Sequence, residues 1–214
     1  MVLVTVTTSP ANPWIHKRVV FVLMNLSQDK RAKIILPTHN PYENNLHHIV
    51  NDFMEGDYTH WLNIDADNPP MKNPLDLLEY DRDIMGLPTP VWHFDEPNVK
   101  KGERPIYWNA YDYVEEEDAY REHKEKKGLQ KVDAIGTGCF LVSRRVFLNP
   151  EMRKKPFERQ LNEDGTVNKG NDLSFCERAT KQGFEVFAHY DYPCMHFNEL
   201  ELNEVARAFM NLYE

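Results

Sequence analysis

The hydrophobic positions of the chain follow two periods in turn, and this alternation predicts a sheet with helices between its strands. A β-branched run at residues 2–7 and apolar runs at residues 32–36 and 61–64 have the length of buried strands. Between them stand two stripes of apolar residues three and four positions apart, as on one face of a helix. The stripes consist of Ile15, Val19, Val22, Leu23 and Leu26, and of Leu46, Ile49, Val50, Phe53 and Met54. Strand, helix, strand, helix, strand is typical of an open α/β domain, whose twisted and mostly parallel sheet is flanked by helices.

The remainder of the chain continues this pattern on either side of a less regular segment. We expect strands at residues 83–87, 132–142 and 184–189, and helices at residues 74–80, 170–179 and 202–212.

Between about residues 91 and 131 the apolar periodicity fades. The aromatic residues of this segment would form either a cover over the sheet or a wall for a planar or sugar-like acceptor. The mixed-charge run at residues 115–127 is expected to be a solvated helix or a mobile loop. The sequence therefore predicts a single domain over residues 1–214, with an irregular acceptor-side insertion at about residues 91–131.

Two carboxylates, Asp65 and Asp67, directly follow the third predicted strand. Because side chains alternate along a strand, both point to the same side if the strand geometry continues through Asp67. Ligands of such sheets bind beyond the carboxyl ends of the strands, where Thr7 and Thr8 would also lie. Carboxylates held this close repel each other unless a cation or a proton lies between them. The motif therefore predicts a divalent-metal site that keeps positions open for substrate phosphates.

Composition narrows the class of protein. The formal net charge of −9 argues against a general binder of nucleic acid or of anionic membranes. The sequence has no run of about eighteen apolar residues and no basic leader before an apolar core, so no membrane segment or signal peptide is expected. Three cysteines without a Cys-x-x-Cys spacing predict neither a disulfide framework nor a zinc knuckle. A cytoplasmic protein is the expectation.

Four motifs in order resemble the GT-A type of glycosyltransferase over roughly residues 2–197. They are the apolar strand with Asp65-x-Asp67, the small-residue strand at residues 136–142, the acidic helix start at residues 170–179, and the turn and strand from Gly183. The order is also similar to that of short glycosyltransferase-like proteins of bacteriophages, some of which decorate modified DNA bases. The resemblance implies an enzyme that transfers a sugar from a nucleotide-sugar donor, a UDP-sugar above all, to an acceptor hydroxyl. A phage enzyme of this kind would work in the host cytoplasm.

The resemblance also implies roles for individual residues. Asp67 would ligate Mn2+ or Mg2+, His196 would complete the metal shell, and Asp65 would contact the ribose or a metal-bound water. Asp172 would be the general base, which implies inversion at the anomeric carbon. The remaining donor-binding candidates lie at the ends of strands: Thr7, Thr8, Pro10 and Gly138, with His39 and Asn40 as weaker candidates. If the acceptor is a modified DNA base, its contacts would be Arg144, Arg145, Arg153, Lys154 and Lys155.

Several alternatives stay open at this point. Asn171 stands where the family has an acidic residue before its base, so Asp172 could serve only as a helix cap and the reaction could instead retain configuration. His196 could be a structural histidine. The chain could also be a nucleotidyltransferase acting on a sugar phosphate, although residues 7–14 lack the glycine-rich basic loop of such enzymes. A non-catalytic nucleotide-sugar-binding domain is the third reading.

Overall fold

A computed structural model of the chain describes residues 1–8, 10, 13–92 and 106–197. The helices are α1 (Lys17–Leu26), α2 (Tyr42–Glu55), α3 (Arg144–Leu148), α4 (Pro150–Lys154) and α5 (Asn171–Lys181), with 3₁₀ turns at Pro74–Tyr80 and Glu115–Glu117. The strands are β1 (Val2–Thr7), β2 (Ala32–Ile35), β3 (His60–Asp65), β4 (Ile84–Gly86), β5 (Pro90–Trp92), β6 (Ile106–Trp108), β7 (Ala110–Val114), β8 (Ala119–Glu122), β9 (Leu129–Val132), β10 (Ala134–Ile135), β11 (Cys139–Ser143), β12 (Gln160–Leu161), β13 (Val167–Lys169) and β14 (Val186–His189).

Seven of these strands form the central sheet, in the order β2-β1-β3-β11-β4-β14-β9. Strands β2, β1, β3, β4 and β14 point the same way, whereas β11 and β9 run antiparallel to their neighbours. The predicted α/β class with a mostly parallel sheet is therefore confirmed. The carboxyl ends of five strands meet along one edge of the sheet, and this edge positions the candidate site.

Each face of the sheet is covered by its own apolar core, because side chains alternate along every strand. On one face, Trp61 of β3 packs with α2 and α5, including Phe53 and Phe175. On the other face, Leu62 packs with α1, including Val19. Asp65 follows Trp61 by four positions, so it lies on the α2 and α5 face.

The predicted strand at residues 132–142 is in fact three pieces, β9, β10 and β11, separated at Asp133 and at residues 136–138. Only β9 and β11 belong to the central sheet, while β10 pairs with β7 in a separate three-stranded sheet, β10-β7-β8. The glycines that interrupt the apolar run therefore mark the point at which the chain changes sheets.

The segment at residues 106–131 is more regular than the sequence indicated. The expected helix or mobile loop at residues 115–127 is wrong for Ala119–Glu122, which forms β8 and pairs with β7. Lys169 contacts the hairpin through cation–π interactions: its ammonium lies 5.8 Å from the ring centroids of both Tyr113 and Tyr120.

The expected helix at residues 202–212 lies outside the described residues, as do residues 93–105 of the insertion. In the described part of the chain, no helix combines the length and the apolar character needed to cross a membrane.

Candidate functional site

Asp65 is the last residue of β3 and is fixed by three hydrogen-bond donors that converge on its Oδ1 atom. Thr7 Oγ1 from β1 donates at 3.1 Å, the Tyr42 hydroxyl from α2 at 3.0 Å and Asn63 Nδ2 from β3 itself at 3.1 Å. The donors come from three different elements, so the carboxylate is placed by the fold rather than by its own rotamer preference. No hydrogen bond among the described residues reaches its Oδ2 atom, which leaves that oxygen for a ligand.

A series of buried hydrogen bonds between side chains of β1 and β3 supports this carboxylate. Trp61 Nε1 donates to Thr5 Oγ1 at 2.8 Å, and Thr5 Oγ1 donates to Asn63 Oδ1 at 2.9 Å. Asn63 Nδ2 then reaches both Asp65 and the backbone carbonyl of Thr137, the latter at 3.0 Å. Polar side chains this deep in a core are stable only when they are paired, and each of these contacts fixes the next. Sequence reasoning missed Thr5 and Asn63, although polar residues on one face of two apolar strands were the signal.

The environment of Asp65 makes its charged form costly. Burial raises the pKa of Asp65, and the nearby charge of Asp67 raises it further. The hydrogen bonds from Tyr42, Thr7 and Asn63 lower it, and the resulting pKa is about 6. A carboxylate kept in such a position at the expense of stability is typical of a functional site.

Asp67 lies in a turn after β3, and its carboxylate is about half exposed. Strand β3 ends at Asp65, so the strand alternation that predicted both carboxylates on the same side does not extend to Asp67. Its Oδ2 atom lies 3.7 Å from Nε2 of His196. His196 Nδ1 donates to the backbone carbonyl of Pro90 at 2.8 Å. Because a carbonyl only accepts, Nδ1 carries the proton, and the lone pair of the neutral ring is on Nε2, facing Asp67.

Backbone hydrogen bonds hold the segment that carries His196 against the end of β3. The amide of Met195 donates to the Pro69 carbonyl at 3.0 Å, and the amide of Phe197 donates to the Asp67 carbonyl at 3.0 Å. The Phe197 ring stacks on His16 at a centroid distance of 3.8 Å. The segment that carries the histidine therefore pairs, through its backbone, with the double proline that ends the motif.

These residues offer a divalent cation two protein ligands. Among the described residues there is no group of three or more His, Cys, Asp or Glu side chains arranged as a complete metal cage. Asp67 supplies a hard oxygen and His196 a nitrogen with a fixed tautomer, a donor set that fits Mn2+ and leaves positions for oxygens of a substrate. The Asp67 carboxylate, mainly as a hydrogen-bond acceptor, is also the first cause that raises the pKa of His196, against the lowering effect of burial.

The other donor-binding candidates lie at the same edge of the sheet, with different roles. Thr8 pairs with Thr38 beyond the ends of β1 and β2. The Thr8 carbonyl accepts a hydrogen bond of 2.9 Å from Nδ2 of Asn45. Asn45 is a buried residue of α2 that was not among the candidates named from the sequence. Pro10 is exposed. Gly138 packs closely against the side chain of Asn68, because a Cβ at position 138 would lie 2.8 Å from Asn68 Oδ1.

Asp172 lies in the first turn of α5, whose N-cap residue is Gly170. The cap position is thus occupied by another residue, and the Asp172 carboxylate accepts a hydrogen bond of 2.8 Å from the neighbouring amide of Leu173. Burial raises the pKa of Asp172, against the lowering effect of that amide. Helix α5 packs on the same face of the sheet as α2, so Asp172 and Asp65 belong to the same side of the molecule.

The basic residues suggested as contacts for DNA do not form a free patch. The Arg144 guanidinium donates four hydrogen bonds to backbone carbonyls at the end of α2, and Arg145 pairs with Asp81 and Asp83. Arg144 also donates its amide to the carbonyl of Thr59, just before β3, six residues and therefore about 20 Å from Asp65. Both arginines thus already have partners within the protein, and their role as DNA contacts stays a prediction.

No protein-family model and no curated protein matches this chain. Among solved structures, A197 from STIV is similar, with a TM-score of 0.61 and 13% identity over 92% of this chain and 86% of that one. GalNAc-T7 with UDP, GalNAc and Mn2+ has a TM-score of 0.51 and 8% identity over 98% of this chain and 47% of the other. UDP-glucose pyrophosphorylase complexed with UDP-glucose has a TM-score of 0.50 and 10% identity over 100% and 99%. The GT-A-like, Rossmann-like fold is thereby confirmed, and at these identities the likeness extends to the fold alone.

Proposed function

We propose that this protein is a metal-dependent glycosyltransferase that moves a sugar from a nucleotide-sugar donor to an acceptor hydroxyl with inversion. The observation that carries the proposal is the pairing of the Asp67 carboxylate with Nε2 of His196, 3.7 Å apart, at the carboxyl edge of the sheet. The fold resembles that of GalNAc-T7, whose structure contains UDP and Mn2+, and this edge is where a nucleoside diphosphate would bind.

Asp67 and His196 are the residues that would hold Mn2+ or Mg2+. A bound ion neutralises the charge that develops on the leaving diphosphate. The chain itself contributes the orientation of both ligands: the Pro90 carbonyl keeps the His196 proton on Nδ1, and the Phe197 amide fixes the backbone at Asp67. Asp65, held by three donors, would present its Oδ2 atom to the ribose or to a metal-bound water.

The nucleoside would lie beside the ends of β1 and β2, bordered by Thr7, Thr8 and Pro10, with Gly138 opposite. A UDP-sugar is the proposed donor.

Asp172 is proposed to take the proton from the acceptor hydroxyl as that oxygen attacks the anomeric carbon. A buried carboxylate is a stronger base than an exposed one, since burial raises its pKa. The amide of Leu173 occupies one of its oxygens and thereby fixes the orientation of the other.

The experiment is donor turnover with and without acceptor, in the presence of Mn2+. Asp67→Asn should abolish metal-dependent donor binding, whereas Asp172→Asn should leave binding intact and lower kcat by about 10²-fold or more. Asp52→Asn is the matched control, because Asp52 is exposed on α2 about 15 Å along the helix from Tyr42. Sugar transfer that persists in both site variants would contradict the proposal.

A nucleotidyltransferase is the second candidate, favoured by the fold likeness to UDP-glucose pyrophosphorylase over nearly the whole of both chains. Such an enzyme would release pyrophosphate from a nucleoside triphosphate when given a sugar 1-phosphate. Residues 7–14, which lack glycine and lysine, count against it. Nucleotide-sugar binding without turnover of any kind would instead identify a non-catalytic domain.

A further inference from the structure

The outer face of α1 leaves large apolar side chains in contact with water. The inner face of the helix packs on the sheet through Val19, which is fully buried. On the outer face, the side chains of Phe21 and Met24 are each 59% exposed. Trp14, shortly before the helix, is 80% exposed, and Met71 is 57% exposed. Large apolar side chains exposed together on one part of a protein surface indicate an interaction site.

These side chains form one continuous surface. Lys17, Phe21 and Met24 follow each other at intervals of four and three residues, which places them on one stripe of the helix. Phe21 and Met71 line the same cavity of about 370 Å³, between α1 and residues 70–74. We call this region the α1 surface; it comprises Trp14, Lys17, Arg18, Phe21, Met24, Met71 and Lys72.

The three cations of the α1 surface have no carboxylate partner among the described residues. Arg18 and Lys72 instead contact aromatic rings, with centroid distances of 5.9 and 4.8 Å. Asp29, which lines the cavity, is already paired with Arg31 at 2.7 Å. Lys17 and Arg18 also lie in the first turn of α1, where a cation opposes the helix dipole and where α1 has no acidic residue. The surface is therefore locally positive, in a chain whose formal net charge is −9.

This combination of side chains fits the surface of an anionic lipid bilayer. Exposed Trp, Phe and Met side chains enter the boundary between headgroups and acyl chains, while flanking Lys and Arg side chains contact anionic headgroups. A second copy of the same face would instead bring the three cations against their equivalents. The acidic residues elsewhere in the chain have little effect on such a contact, because charges more than about 10 Å apart are largely screened at 0.1 M salt.

The start of α1 adjoins the candidate site. The amide of His16, the N-cap residue of α1, donates to the carbonyl of Ala66 at 2.8 Å, between the two aspartates of the motif. The His16 ring also stacks on Phe197, in the segment that carries the candidate metal-ligating histidine. A bilayer bound to the α1 surface would therefore lie beside the carboxyl edge of the sheet.

We propose that the α1 surface binds the surface of an anionic lipid bilayer, without crossing it. Its apolar side chains enter the headgroup region, and Lys17, Arg18 and Lys72 contact the lipid phosphates. The inference goes beyond the proposed function and does not depend on it, because vesicle binding is measured without donor or acceptor. Failure of vesicle binding would leave the glycosyltransferase proposal untouched, and absence of sugar transfer would leave this surface untouched.

The test is co-sedimentation of the intact protein with vesicles of phosphatidylcholine, either pure or with about 30% phosphatidylglycerol, at about 0.1 M salt. We expect binding that requires phosphatidylglycerol. Lys17→Gln and Lys72→Gln should each weaken it about fivefold, which corresponds to about 1 kcal/mol for each cation. Phe21→Ser should weaken it about tenfold or more, because a large apolar side chain no longer leaves water.

Two exposed residues away from the α1 surface provide matched controls. Leu148 is 65% exposed on α3, whose buried residues pack on the opposite face of the sheet from α1. Lys33 is exposed on β2, and its neighbours Ala32 and Ile34 pack on the α1 face, so Lys33 points to the other face. Leu148→Ser and Lys33→Gln should therefore bind vesicles as the unmodified protein does.

Fluorescence and thermal unfolding complete the test. The emission of Trp14 should move to shorter wavelengths with anionic vesicles, and this shift should be absent in Trp14→Phe. The proposal is overturned if no vesicle binds, if pure phosphatidylcholine binds equally well, or if Lys17→Gln and Lys72→Gln have no effect. It is also overturned if Phe21→Ser clearly lowers the melting temperature or abolishes a dimer seen by ultracentrifugation, because the face would then already be covered by the chain itself or by a second copy.

Discussion

The Arg144 guanidinium connects the end of α2 to the start of β3, and its replacement should cost more stability than its place on the surface suggests. Its Nη1 donates to the carbonyls of Phe53, Gly56 and Tyr58 at 3.1, 2.7 and 3.1 Å, and its Nη2 donates to Met54 at 2.8 Å. Two of these are carbonyls of the last helical turn, which have no partner within the helix. At about 1 kcal/mol for each bond, and with some of the carbonyls able to turn to water, Arg144→Met should lower the free energy of unfolding by about 3 kcal/mol. For a domain of this size the melting temperature should fall by about 6–12 °C.

The neighbouring Arg145 provides the control. Its ion pairs with Asp81 and Asp83 are formed by a side chain that is 44% exposed, so Arg145→Met should cost less than about 1 kcal/mol. Urea unfolding followed by circular dichroism measures both variants, with equal m-values as the check on comparability. If Arg144→Met costs no more than Arg145→Met, the carbonyl contacts do not hold α2, and the account of how Tyr42 reaches Asp65 loses its support.

Two further predictions concern α5 and the loop before β11. Burial raises the pKa of Glu177, but hydrogen bonds from Lys181, Gln160 and Lys169 outweigh it and lower the pKa to about 2. Since the folded pKa lies below the unfolded value, this stability is present above pH 4.5 and is lost as the pH falls toward 2. Glu177→Gln should thus cost about 2 kcal/mol at pH 7 and clearly less at pH 3, measured by urea unfolding; an equal cost at both pH values would contradict it. Gly138→Ala should cost about 1–3 kcal/mol, because the added Cβ would meet Asn68 Oδ1 at 2.8 Å, and a neutral result in thermal unfolding would show that this loop adapts.

Much of the fold could be predicted because apolar periodicity reports burial directly. The strands and helices up to residue 87 and the final strand β14 follow from it, since each has one face or both faces in a core. The hairpin β7–β8 could not be predicted in this way. Its stability comes from pairing with β10 and from the contact of Lys169 with two tyrosines, neither of which leaves a periodic signal.

The candidate site was predictable where chemistry is local in the sequence. Asp65, Asp67 and the position of His196 beyond the last strand could be named, and the structure brings the latter two together. Tyr42, which donates to Asp65 from α2, and the buried Thr5–Asn63 pair depend on the packing of separate elements, so no spacing reveals them. The roles of Asp172, Thr7, Thr8, Pro10 and Gly138 stay predictions.

The central claim, a metal-dependent nucleotide site at Asp67, is tested most directly by thermal unfolding with UDP, with and without Mn2+. A ligand at 100 times its dissociation constant stabilises the folded protein by about 2.7 kcal/mol, which corresponds to about 5–10 °C here. We expect this shift only when UDP and Mn2+ are present together, we expect it to disappear in Asp67→Asn, and we expect it to remain in Asp52→Asn. A shift of the same size in Asp67→Asn, or none with any nucleoside diphosphate in the unmodified protein, would contradict the account.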